Sequence, residues 1–167
     1  MVPIESDASD MLRISKLTDY AIILLGQMAK APQATYTVND LAQTAGVAAP
    51  TVSKVMKALA RAEVLTSTRG SRGGYQLCTA PERITVASII RALEGPIALT
   101  ECSLEHAHCE QSSSCDIRSN WSVLNRAMQA ALEAVSLADM ATPMTQAPDS
   151  FSIPLSSITL QSRRIQE

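Results

Sequence analysis

The chain has 167 residues, 46% hydrophobic and 18% charged, with a formal net charge of −2. That is apolar material enough for one or two small packed domains and excludes a fibrous or wholly disordered chain. No apolar run reaches the roughly 18 residues of a membrane span, YAIILLGQMA being broken within a few positions, so the expectation is a cytoplasmic protein without a membrane partner.

The leader MVPIESDASD has no basic start followed by an apolar stretch, so residues 1–10 read as a disordered leader rather than a secretory signal. From Met11 to Gly95, ten Lys and Arg face five Asp and Glu, a local surplus of five positive charges. Such a segment beside acidic flanks is permissive for nucleic acid. Leu17, Ala21, Leu24, Leu25 and Met28 recur at helical steps and predict a first helix, closed by Ala31-Pro32. Thr37 with Asp40 three residues on makes a capping-box pattern for a second helix, stopped by Gly46. Pro50 suits the first turn of a third helix, whose inward stripe is Val52, Val55, Met56 and Leu59. VLTST and GYQLC read as a hairpin with the basic tip RGSRG, and Thr85 caps a fourth helix ended by Gly95-Pro96.

This order, at 11–95, predicts a mainly α fold: a winged helix-turn-helix domain with a long C-terminal dimerisation helix. Lys54, Lys57 and Arg61 on the outer face of the third helix can meet phosphates, while Thr51 and Ser53 can reach base edges. At the tip, Arg69, Ser71 and Arg72 sit among glycines that allow close approach to a narrow minor groove.

Residues 96–116 form a cysteine-rich loop. Cys102, Cys109 and Cys115 are spaced C-x6-C-x5-C, too long for zinc knuckles and suited to wrapping a larger object such as an iron–sulfur cluster, [2Fe-2S] or [4Fe-4S]. Zinc, or a reversible disulfide among these thiols, is the rival reading. The lone Cys78 reads as a buried small hydrophobe. Over 117–140 one helix is expected, with Trp121, Leu124, Met128, Ala131 and Val135 continuing a heptad seam from Ile117. The seam either pairs with a second copy or packs on its own domain. Residues 141–167, rich in Pro, Ser, Thr and Gln, read as mostly disordered.

The stretches MLRISKLTDYAIILL and TVSKVMKALARAEVLTSTRGSRGGYQL, with the three-cysteine loop, resemble the Rrf-two family of bacterial winged-helix regulators, whose members include IscR, NsrR and RirA. The likeness covers about Met11 to Met140, and LTECS suggests the subgroup regulating the SUF cluster-assembly system. It implies a homodimeric repressor of palindromic operator DNA. Pro50, Thr51, Ser53 and Lys54 would read the double-stranded operator, Arg69 would enter the minor groove, and Cys102, Cys109 and Cys115 would ligate a cluster. IscR-like members place a histidine three residues after the third cysteine, where this chain has Arg118. Asp19, in LTDYA, matches the aspartate that NsrR-like members lend across the dimer, with His106, His108, Glu105 and Glu110 as rivals. A small iron–sulfur electron-transfer protein is the alternative from another class. No Ser-His-Asp arrangement, phosphate-cradling GxxxxGK[ST] loop or paired carboxylates suggest an enzyme.

Overall fold

The computed structural model describes residues 14–70, 73–100, 103, 115 and 117–142, with the backbone alone at Arg118. The elements run α1 (Lys16–Ala29), α2 (Val38–Ala45), α3 (Ala49–Arg61), β1 (Leu65–Thr68), β2 (Gly74–Leu77), a 3-10 turn (Pro81–Arg83), α4 (Val86–Glu94), α5 (Arg118–Ala134) and α6 (Leu137–Ala141). The 1–10 leader and residues 143–167 of the tail lie outside the described residues.

Local chemistry sets these boundaries. Ser15 caps α1 by accepting from the Thr18 N–H. Thr37 and Asp40 form a reciprocal box, with the Asp40 carboxylate 2.7 Å from the Thr37 hydroxyl. Gly46 ends α2 in the left-handed region, φ 65°, which costs an L side chain about 1–2 kcal/mol. β1 pairs antiparallel with β2, Leu65 opposite Leu77 and Thr68 opposite Gly74, and Tyr36 adds two backbone bonds to Tyr75, at 2.9 and 2.8 Å. A Cβ on Gly74 would stand 2.5 Å from the Tyr36 carbonyl oxygen, so this junction admits only glycine.

Leu24, Leu25, Met28, Leu41, Val52, Val55, Met56, Leu59, Leu65 and Ile89 form the buried core, so the inward stripes of α1 and α3 are as their spacing predicts. Two expectations are corrected. Cys78 is exposed, because β2 ends at Leu77 and the chain turns outward after it. Desolvation, and then the nearby Glu63 carboxylate, push its thiol above the usual range. The helix expected over 117–140 is also interrupted. Val135 and Ser136 are extended, and Ser136 with Asp139 makes a second capping box that starts α6. The break lets the chain turn back: the Val86 N–H donates to the Val135 carbonyl, the Leu137 N–H to that of Ile84, and Leu137 enters the main core fully buried.

Candidate nucleic-acid interface

α3 presents two chemically distinct faces. Val52, Val55, Met56 and Leu59 are sealed inside, while Pro50, Lys54, Lys57 and Arg61 are exposed and Thr51 and Ser53 are half-buried. Positions 50, 54, 57 and 61 share one stripe, about 16 Å long at 1.5 Å per residue, a length suited to the major groove. Arg69 is exposed just past the end of β1, at the tip of the hairpin. Among the described residues none of Lys54, Lys57, Arg61 and Arg69 is ion-paired, Arg91–Glu133 being the one salt bridge. These cations are therefore free to replace counterions on a phosphate backbone. Ser71 and Arg72 lie outside the described residues.

The start of α3 is also open. Its N-cap is Ala48, which offers no side-chain bond, and Pro50 carries no N–H to satisfy. α2 packs across α3 through buried Leu41 and holds this end in place. The pair is a helix-turn-helix whose second helix projects the polar stripe.

The approach to the cysteine segment is held on α5. The Asn125 side chain accepts from the Leu99 N–H at 3.1 Å and donates to the Ile97 carbonyl at 3.5 Å. Gln129 donates to the same carbonyl at 2.8 Å. Cys115, half-buried, stands three residues before the α5 start at Arg118. Cys102, Cys109, His106, His108, Glu105 and Glu110 lie outside the described residues. Among the described residues no group of three or more His, Cys, Asp or Glu could hold a metal. By the chemistry of the donor set, three thiols on a segment referenced at both ends to one helix fit an iron–sulfur cluster.

Asp19 is exposed in the first turn of α1, beside Thr18, whose buried hydroxyl donates to the Glu94 carboxylate at 2.5 Å. The Ser15 N–H donates to the same oxygen at 3.3 Å. Hydrogen bonds from Ser15 and Thr18 hold Glu94 below the usual carboxylate range, so the end of α4 clamps the start of α1. Sequence reasoning missed this clamp and the Asn125 and Gln129 contacts.

The heptad seam divides. Met128 and Val135, with Leu132, lie against a patch of Val86, Ala87, Ile90 and Ile97 in the same chain. Ile117 and Leu124 face outward, 55% and 53% exposed, and Trp121 and Ala131 are half-buried.

The comparisons with known proteins converge. A family model described as Rrf2, iron-dependent transcriptional regulator, matches residues 14–143. Protein rrf2 of Nitratidesulfovibrio vulgaris strain Hildenborough is 35% identical over 104 residues, spanning 62% of this chain and 69% of that protein. The solved structure of CymR (YrzC), the global cysteine regulator of B. subtilis, is 30% identical with a TM-score of 0.61, covering 78% of this chain and 97% of that one. IscR of T. potens is 26% identical with a TM-score of 0.57, covering 82% and 93%. Among the described residues no helix is long and apolar enough to cross a membrane. The chain belongs to the Rrf2 family: it is a winged-helix, DNA-binding transcriptional regulator and not an enzyme.

Proposed function

We propose that this regulator is a cytoplasmic homodimer whose hold on operator DNA depends on an iron–sulfur cluster, and that it represses the SUF cluster-assembly genes. The observation that carries this is the pairing of an uncompensated cationic stripe on α3 with a three-cysteine segment referenced at both ends to α5. Pro50, Thr51, Ser53, Lys54 and Lys57 meet the major groove, and Arg69, Ser71 and Arg72 the adjacent minor groove. Ile117, Trp121 and Leu124 form the outward part of the seam with the second copy, which places two α3 helices over a palindromic operator. Met128, Ala131 and Val135 extend that seam, Met128 and Val135 while also bracing α5 on its own chain.

Cys102, Cys109 and Cys115 supply thiolates to the cluster, and Asp19 of the other copy supplies the fourth ligand. When bound, such a group supplies a centre sensitive to iron supply and oxidants, weakest at its carboxylate corner. Its gain or loss biases two states of the dimer that differ in operator affinity.

The test is one oxygen-free preparation assayed for iron, sulfide and visible absorbance, then titrated with operator DNA before and after cluster removal. The expected outcome is a chromophore absent from Cys102, Cys109 and Cys115 variants and intact in Cys78→Ser. DNA affinity should change on cluster removal. Lys54→Ala and Arg69→Ala should each weaken binding and lower the salt slope by about one. Metal-free material that binds DNA equally well with or without reconstitution refutes the reading.

The likeness to CymR, a cysteine regulator, favours a second reading, in which the same thiols switch by forming a disulfide or by holding zinc. Either alternative lacks inorganic sulfide and visible iron absorbance, so the same assay separates them.

A further inference from the structure

Asn125 is a buried amide on α5, 6% exposed, beside Met128 and Leu132 of the same helix, which are set against the Ile97 patch. A buried amide with unused polar atoms is unfavourable, because it gives up its bonds to water without replacement. Here both ends are used, and both partners are backbone groups of the stretch that follows α4. Gln129, one turn on, donates to the same Ile97 carbonyl, and Ile97 is itself buried against α4. The chain between Gly95 and Thr100 is therefore clipped to α5 by two amides and one apolar anchor.

The position of this clip is informative. Leu99 lies three residues before Cys102, a reach of at most about 10 Å of extended chain. Cys115 lies three residues before Arg118, and Arg118 and Asn125 are seven residues apart on one helix, about 10 Å along its axis. The described residues on either side of the segment are thus both referenced to α5. Fixing the ends of a segment lowers the ordering entropy lost when its side chains converge on one object.

We propose that Asn125, aided by Gln129, is a positioning residue that preorganises the cysteine segment for the group it holds. This rests on the iron–sulfur reading above. Among the described residues Asn125 bonds backbone groups of residues 97 and 99, and it acts through them.

The full-length protein, prepared without oxygen, is the material for the test. Asn125→Leu removes the two Asn125 contacts at similar volume, Gln129→Leu removes the separate Gln129 bond to the Ile97 carbonyl, and Asn125→Asp keeps the acceptor for the Leu99 N–H. Arg91→Gln, which breaks the ion pair to Glu133 and leaves the clip intact, controls for a general loosening of α5. The readout is the decay of visible absorbance under an iron chelator, with circular dichroism to confirm folding.

Asn125→Leu should lose the chromophore roughly 10- to 100-fold faster than the natural protein, as expected for removing a partner that orients a metal site. Its absorption maxima should be unchanged, since no ligand is altered. Asn125→Asp and Gln129→Leu should fall between, and Arg91→Gln should match the natural protein within about twofold. Decay of folded Asn125→Leu and Gln129→Leu within twofold of the natural protein overturns the proposal, as does equal acceleration by Arg91→Gln. If Asn125→Leu does not fold, Gln129→Leu alone decides. A natural protein that takes up no iron and sulfide is a different result: it refutes the iron–sulfur reading and this proposal with it.

Discussion

Leu137 and Leu124 sit thirteen positions apart in the C-terminal part of the chain, yet the structure gives them opposite surroundings. Leu137 is fully buried in the cluster that contains Leu24, Leu25 and Ile84, whereas Leu124 is 53% exposed. Leu137→Ala removes a side chain from a sealed core, which costs about 2–5 kcal/mol depending on how far the cavity collapses. For a body of this size that corresponds to a midpoint roughly 10–20 °C lower. Leu124→Ala removes a half-wet side chain and should cost under about 1 kcal/mol in a dilute monomer. If Leu124 belongs to a dimer seam, its effect grows with protein concentration, because association then stabilises the natural protein and not the variant. Thermal melts at two concentrations a hundredfold apart read both quantities. A Leu137→Ala protein that melts within about 3 °C of the natural one would refute the placement of α6 in the core, since only surface sites are so tolerant.

The uncapped start of α3 makes stability and DNA binding separable. Ala48→Ser and Ala48→Asp should each stabilise the fold by about 1 kcal/mol through a new side-chain cap, seen as a higher midpoint, but only the aspartate should weaken operator binding in an anisotropy titration. Glu63 holds φ 59°, a region costing a non-glycine residue about 1 kcal/mol or more, so Glu63→Gly should raise the midpoint by a few degrees. The same change removes the carboxylate that helps push the Cys78 thiol up, and should speed its alkylation near pH 8. Asp40, Glu94 and Asp139 are all held below the usual carboxylate range by hydrogen bonds. Their folded values lie under the unfolded ones, so their contribution is complete above about pH 5 and is lost as pH falls through the depressed values. Urea melts between pH 7 and 3 should show this loss, and Glu94→Gln should flatten part of it.

Much of this fold is legible because its signals are local. Thr37 with Asp40, Gly46, and the spacing of Val52, Val55, Met56 and Leu59 each act within one or two turns, and each is realised. Ser136 with Asp139 repeats the same capping pattern, but it lies under a heptad stepping strong enough to read as one continuous helix. The competing information was long-range: α6 leaves the axis of α5 because Leu137 finds space in the core near α1 and Ile84, a destination no window of sequence encodes. The outward stripe of α3 and the exposed Arg69 were legible from charge and periodicity. The clip on the approach to the cysteines was not, since the partners of Asn125 are backbone atoms 26 and 28 residues away. Cys78 is exposed for a simpler reason: hydrophobic residues of small size go inside on average, but a residue just past a strand end follows the turn.

The connections around α4 restrict how a signal can act. Within one chain, α5 is tied to α4 by the Arg91–Glu133 ion pair and by the Val135 and Leu137 backbone bonds at the α4 start. α4 packs directly on α3 and, through Glu94, grips the first turn of α1. α1, α3, α4 and α6 share one continuous core, so α3 cannot shift relative to them without opening cavities that cost several kcal/mol. A regulatory change that began at the cysteine segment would therefore move this body as a unit. In the proposed homodimer the cheaper freedom lies outside the core, at Ile117, Trp121 and Leu124, where a few degrees of rotation changes the separation of two α3 helices many ångströms away. Operator affinity would then be set by the seam, and substitutions at Leu124 should alter the difference between the two DNA-binding states more than they alter the stability of either.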